Sequence, residues 1–308
     1  LVATQNRKFA PAGRRMPWRG PSGDISSVAI VGPSRSGKTA ECAIPGVLDW
    51  DGPAVLLSVK RDLLDATVHR RRQLGQVRVF DPAGIVTKRP VNPTEQWVEI
   101  APEELARWSP LRNAGTPAGA KKAGEALAAW TPKAGIEGGG DFWANLGKIL
   151  FTGLVGVAAI DPEPPSMAKL ARWVFKQDRP GTDEVSEVVT ILDAQANSDQ
   201  ESMRIASDAA ALHLHAIWSK DERLVSSVYA TAQTVADPYL DPNVQAVTDI
   251  RANEKGTSWV DLEWLVGAPE GKANTLYLVV PLDDYDRLAP VLGGFLSDLK
   301  AQAYEWDV

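Results

Sequence analysis

The order of apolar and polar positions divides the chain into a strand-rich start, a helical middle and a short return to strands. Ser27–Val31, Ala54–Val59 (AVLLSV) and Val77–Phe80 (VRVF) are brief apolar runs closed by turn residues, which predicts buried strands. Between them, Thr39–Trp50 places Ile44, Val47 and Leu48 at helical spacing. Asp62–Leu74 does the same with Leu63, Leu64, Thr67 and Val68, and Gly75 ends it. The order β–α–β–α–β implies a parallel sheet with helices on its faces. Pro45 is a misfit: inside a helix it removes a hydrogen bond and costs about 3 kcal/mol, so a kink or a short first helix is expected.

From about 112 to 236 the strand signal disappears. Helical patterns run over 141–160, 167–176, 183–195, 200–219 and 222–236, with Asp141 as the expected cap of the first and Pro162, Pro164 and Pro165 ending it. Strand character returns at Thr275–Val280 (TLYLVV). The stretch 285–306 is an amphipathic helix with Leu288, Val291, Leu292, Phe295, Leu296 and Leu299 on one face. The expected fold class is therefore α/β, a parallel sheet interrupted by an all-α insertion.

Composition changes this picture little. Hydrophobic residues at 44% and charged residues at 23% of 308 are globular values. The single cysteine, Cys42, excludes an internal disulfide and is expected to pack behind the loop at 32–39. The longest uncharged apolar stretch, 149–160, falls short of the roughly 20 residues a membrane span needs and reads as a core helix. Residues 1–22 carry Arg7, Lys8, Arg14, Arg15 and Arg19 among prolines and glycines, which reads as a basic linker. Residues 1–90 hold 15 Lys/Arg against 7 Asp/Glu, and the rest holds 18 against 32, for a net charge of −6. The basic start suits phosphates or an anionic membrane surface; the bland reading is a basic linker joined to an acidic, solvated helical region.

One motif carries chemistry. Gly32-Pro33-Ser34-Arg35-Ser36-Gly37-Lys38-Thr39 fits G-x-x-x-x-G-K-[ST], the phosphate-binding P-loop, between an expected strand and an expected helix. Gly32 and Gly37 allow the tight turn and close approach, and the helix that starts there, with Ala40 in its first turn, turns its positive end to the phosphates. Lys38 is expected to reach the β- and γ-phosphates of ATP and Thr39 to coordinate Mg²⁺. An ATPase also needs a carboxylate at a strand end to orient water and metal. Asp193 sits in a helical pattern, Asp283 and Asp284 follow a turn, and Asp81 opens an Asp-Pro turn. None suits the role, and the acid is expected beyond Val308.

Beyond the P-loop VGPSRSGKT, the chain carries IPGVLDWDGPAVLLSVKRDLLDAT, VRVFDP, RWSPLR, DFWANLGKIL, SVYATAQTV with DPNVQAV, and TLYLVVP followed by RLAPVLGGFLSDL. In these pieces and their order it resembles the type IV coupling proteins of the TraG/TraD kind. The resemblance implies a RecA-like ATPase domain, 23–111 continued by 237–308, interrupted by an all-α domain at 112–236. It implies a hexameric ring that moves DNA or nucleoprotein with ATP and Mg²⁺. It also implies an N-terminal membrane anchor at the cytoplasmic face, and partners among the relaxase or relaxosome, secreted proteins and the type IV secretion channel. Many relatives close the second strand with Asp-x-Lys-Gly-Glu; here Ser58-Val59-Lys60-Arg61-Asp62 stands there, leaving Lys60 and Asp62 as a possible second-strand site. Other readings are a cargo receptor working through the all-α domain and a P-loop kinase, which the long helical insertion disfavours.

Weaker features have bland readings. Arg70-Arg71-Arg72 reads as a solvated helix end, or else as a group facing DNA or a neighbouring subunit. His213 and His215, two apart on a helix, face different ways and make a poor metal pair. Trp143, Trp173 and Trp218 lie in apolar helical patterns and are expected in the core.

Overall fold

Three parallel strands, β1 (Ala54–Ser58), β2 (Val77–Phe80) and β3 (Thr275–Val279), form one sheet in the order β1–β3–β2. The computed structural model describes residues 29–31, 33, 36–87, 97–131, 140–181, 184–250 and 258–306. The last strand in sequence lies in the middle, with Ser58 level with Val279 and Phe80 with Leu278. All five β3 residues are buried, as a run of apolar residues covered on both faces requires. Helix α2 (Asp62–Leu74) covers one face, with Leu64 and Val68 on Val77, Val79, Tyr277 and Val279. Thr67 Oγ1 meets the Tyr277 hydroxyl at 2.6 Å across that contact. Helix α11 (Tyr285–Trp306) lies among the residues of the other core, with Leu288, Leu292 and Phe295 in one cluster with Phe80, Leu276, Leu278 and Val280. Phe295 meets Phe80 edge-on at 4.8 Å and stacks on Trp108 at 5.3 Å.

The same apolar cluster runs on into the helical region. That region contains α3 (Pro117–Ala128), α4 (Gly140–Ile160), α5 (Met167–Lys176), α6 (Glu187–Ala196), α7 (Glu201–Trp218), α8 (Glu222–Ala236) and α9 (Pro242–Thr248); α10 (Leu262–Val266) precedes β3. Helix α4 is its axis. Leu150, Phe151, Leu154, Val155 and Val157 are buried, and Gly153 lets Leu214 of α7 approach its backbone. By length and composition Phe142–Ile160 would suffice to cross a membrane, but 67% of its apolar window is covered by neighbouring helices, as a core helix is. Trp173 is buried, and Trp143 and Trp218 pack against the cluster. The turn after α4 is pinned by Lys169, whose ammonium contacts Asp161 at 2.6 Å, Glu187 at 2.9 Å and Glu163 at 3.0 Å. Burial works against that charge, yet the carboxylates outweigh it and raise the lysine above its ordinary value.

Several expectations need correction. Residues 27 and 28 lie outside the described residues, and 29–31 form no strand; Val31 is 70% exposed. An apolar run becomes a strand only beside a partner edge. The edge of β2 away from β3 is met by the 105–106 segment, through Ala106 N–H to the Val79 carbonyl, and the described residues 29–31 pair with no strand of the sheet. Helix α4 is described from Gly140, so Asp141 stands inside the helix and not before it. Helix α6 starts at Glu187 with Ser186 as the cap, its hydroxyl accepting from Val189 N–H.

Candidate functional site

Residues 38–49 show how the chain absorbs Pro45. Lys38–Ala43 is wound as a π-helical turn, with Ile44 N–H bonded to the Thr39 carbonyl five residues back, and α1 (Ile44–Asp49) then starts with Pro45 in its first turn. In a continuous α-helix Pro45 would oppose the Glu41 carbonyl without a donor; at a helix start none is needed. The expected break at Pro45 is found, and it sits in the segment that carries Lys38 and Thr39.

Of the P-loop, Pro33 and 36–40 are described, whereas Gly32, Ser34 and Arg35 lie outside the described residues. Gly37 adopts φ +79°, a left-handed conformation that side chains other than glycine resist, and a Cβ there would press within 3.0 Å of the Glu41 carboxylate. The Ser36 N–H donates to the Pro33 carbonyl at 3.3 Å, closing the turn. The Lys38 ammonium folds back onto the Pro33 carbonyl at 2.7 Å and the Ser36 hydroxyl at 3.4 Å. It thus donates to its own loop's oxygens, a role phosphate oxygens could take over. Thr39 and Cys42 are half-buried in the π-turn, and Ala40 is exposed.

Lys60 and Asp62 stand at the carboxyl end of β1, where ligands bind in open parallel sheets. Both are exposed, and their hydrogen bonds are local. The Lys60 N–H donates to Ser58 Oγ at 3.3 Å, and Asp62 accepts from the Leu63 N–H at 2.8 Å. Neither is bonded to the P-loop among the described residues. Between them Arg61 is buried. It pairs with Asp65 at 3.0 Å, donates to the carbonyls of Val86 and Val98 and lies over Trp97. Two of the acid candidates are engaged elsewhere, and a third lies within a helix. Asp81 is buried and accepts from the Ile85 and Val86 N–H groups, Asp284 holds Arg287, and Asp193 lies on α6. No group of three or more His, Cys, Asp or Glu able to hold a metal occurs among the described residues, His213 and His215 included.

The arginine run is not a solvated helix end. Arg71 is fully buried, and its guanidinium donates to the carbonyls of Trp50 and Gly52 and to Thr275 Oγ1, joining the end of α1, the start of β3 and α2. Burial lowers its pKa. Arg72 pairs with Glu104 at 2.6 Å, and Arg70 faces Asp51. These contacts lie at the amino ends of the strands, away from the carboxyl ends. The period gave a signal for Arg71: it continues the buried face Leu64–Thr67–Val68 by one more turn.

A P-loop followed along the chain by the strands of a parallel sheet, with a helical block inserted before the last described strand, defines the class: a P-loop α/β protein with an all-α insertion. The model for the family described as type IV secretory system conjugative DNA transfer matches residues 2–252. The chain belongs to that family. Among solved structures it is similar to the bacterial conjugative coupling protein TrwBdeltaN70 in its trigonal form with sulphate, at 16% identity and a TM-score of 0.39, covering 81% of this chain and 52% of that one. It is similar also to the plasmid coupling protein TrwB in complex with ADP and Mg²⁺, at 15% identity and a TM-score of 0.36, covering 81% and 51%. The chain thus spans about half the length of the solved structures it matches. A search of the curated proteins finds no match.

Proposed function

We propose that this chain is the nucleotide-binding part of a coupling protein that uses ATP and Mg²⁺ to drive DNA or nucleoprotein through a conjugation or type IV secretion channel. The observation that carries the reading is the loop at Gly37–Thr39, in a chain of the conjugative DNA transfer family. The residues fit the ligand. Gly37 holds a left-handed turn at the start of the helix, whose amino end favours an anion, and Lys38 already donates to oxygens of the loop. Gly37 to Ala40 and Lys38 would hold the phosphates and Thr39 the Mg²⁺; ATP supplies the driving free energy. Lys60 and Asp62, exposed at the neighbouring strand end, form a possible second contact. The full protein is read as a ring-forming, membrane-associated ATPase, by its family. The test is ATP hydrolysis by the full-length protein with and without DNA. DNA should stimulate turnover and Lys38→Ala should abolish it, whereas turnover indifferent to DNA sinks the motor reading.

A second reading, cargo recruitment through the helical region, draws on the outer side of α7, where Ile205 and Leu212 are 52% and 72% exposed. Two large apolar side chains two turns apart on one exposed helix face are the apolar footing that a partner would cover. A pull-down with the cognate relaxase, comparing the full-length protein with Leu212→Asp, tests it; equal capture by both counts against it.

A further inference from the structure

Helix α11 starts beyond the carboxyl end of the sheet and ends in the helical region. It follows β3 through Pro281 and the turn Leu282–Asp284, at the strand end level with Ser58. Two turns along, its backbone is weak. Pro290 has no N–H for the Asp286 carbonyl, and Gly293 and Gly294 follow about one turn later. Two tryptophans close on this weak point. A Cβ on Gly293 would fall 1.8 Å from the Trp130 indole, and one on Gly294 would fall 3.0 Å from Trp108. Trp130 is anchored to the end of α3 through its N–H and the Leu127 carbonyl. Trp108 donates its indole N–H to Asp298, one turn further along α11, at 2.8 Å. Past the tryptophans α3 and α11 are not in full contact. A cleft of about 370 Å³ lies between them, lined by Asn113, Gly119, Ala123, Ser297 and Ala301, and the exposed Lys122–Glu305 ion pair bridges them.

A joint needs a stiff arm on each side, a weak point between them and room to move. We propose that Pro290–Gly294 is such a joint. Through it, events at the carboxyl end of the sheet turn the helical region, with Trp108 and Trp130 as the pivot, the α3–α11 cleft as the free space and Lys122–Glu305 as a latch. A latch suits an exposed ion pair, which holds a position only weakly. The inference rests on the reading of the P-loop as a nucleotide site.

Hydrogen-exchange mass spectrometry of the full chain tests it, with and without ADP and Mg²⁺ and with nucleotide binding titrated separately by a fluorescent ADP analogue. In the wild type, saturating ADP and Mg²⁺ should change exchange at 290–297 and at 117–131 by roughly threefold or more, a local-opening effect. Gly293→Ala, which drives a methyl into Trp130, and Trp130→Ala, which removes the clasp, should keep nucleotide affinity within about twofold while the change at 117–131 is lost. If Gly293→Ala does not fold, Trp130→Ala decides. Unchanged exchange at 117–131 in nucleotide-saturated wild type overturns the joint, as does a Trp130→Ala protein that transmits the change undiminished. Absence of nucleotide binding overturns instead the P-loop reading on which the joint depends.

Discussion

The two ends of the sheet are built differently. At the amino end three arginines act as staples. Arg71 is buried among two carbonyls and Thr275, Arg72 is forked onto Glu104, and Arg78 is bonded to the Trp259 carbonyl and stacked on Trp264 at 4.3 Å. Burial pushes Arg78 down to about 10, so these cations give up solvation and regain it from fixed acceptors. At the carboxyl end Lys60 and Asp62 are exposed, the Lys60 backbone N–H and the Asp62 carboxylate bonding only to near neighbours, and in the P-loop Lys38 is turned onto its own loop. The side chains of Val55 and Leu57 on β1, and of Val59 just past it, stay 41–47% exposed. One end is organised to hold the strands in register, and the other leaves polar groups available where ligands bind.

The comparison breaks most visibly at Arg71. Arg71→Ala leaves the Trp50 and Gly52 carbonyls and Thr275 without their donor, and it should cost about 3–5 kcal/mol in urea unfolding; a loss below about 1 kcal/mol would show the staple to be idle. Lys38→Ala should act in the opposite way. Losing a charged hydrogen bond of about 1.5–3 kcal/mol lowers nucleotide affinity about 10–100-fold, while the melting temperature of the nucleotide-free protein stays put. Titration with a fluorescent ATP analogue beside a thermal melt separates the two.

A smaller effect is expected at Glu104. Burial pushes its carboxyl up, but hydrogen bonds from Arg72 and the Ala101 N–H outweigh this and hold it below its ordinary value. Because the folded value is the lower one, the pair's contribution is present above the unfolded carboxylate pKa of about 4.3 and fades as pH falls from there through the folded value. Its size, for a partly exposed fork, is about 1 kcal/mol, and Glu104→Gln should flatten that part of the acid stability profile. The smallest change belongs to Lys60→Ala, which should shift stability by no more than about 0.5 kcal/mol; a larger loss would move Lys60 from the open end to the staples.

Much of the fold was legible along the chain. The bounds of α2, β2, α5, α8 and α11 coincide with those read from period and turn residues, because the helices each carry an apolar face and Gly75, Asp81-Pro82 and Asp237-Pro238 mark the ends of α2, β2 and α8. Helix α3 was missed because its alanines and glycines give no apolar period, and α9 and α10 because they are short. At the site, the P-loop spacing was plain and the break at Pro45 followed from proline chemistry. The arginine run was misread because a run of charge looks alike whether solvent or carbonyls surround it.

By itself the sequence determined the features that depend on neighbours in the chain. These are the glycine and lysine of the loop, the alternation of strands and helices, and the helical interruption before the last strand. Only the tertiary structure decided the placement of β3 between β1 and β2, the burial of Arg71 and the meeting of Trp130 with Gly293. Each joins residues far apart in sequence, and such pairs are chosen by packing and by the need to satisfy buried polar groups, which local pattern does not encode.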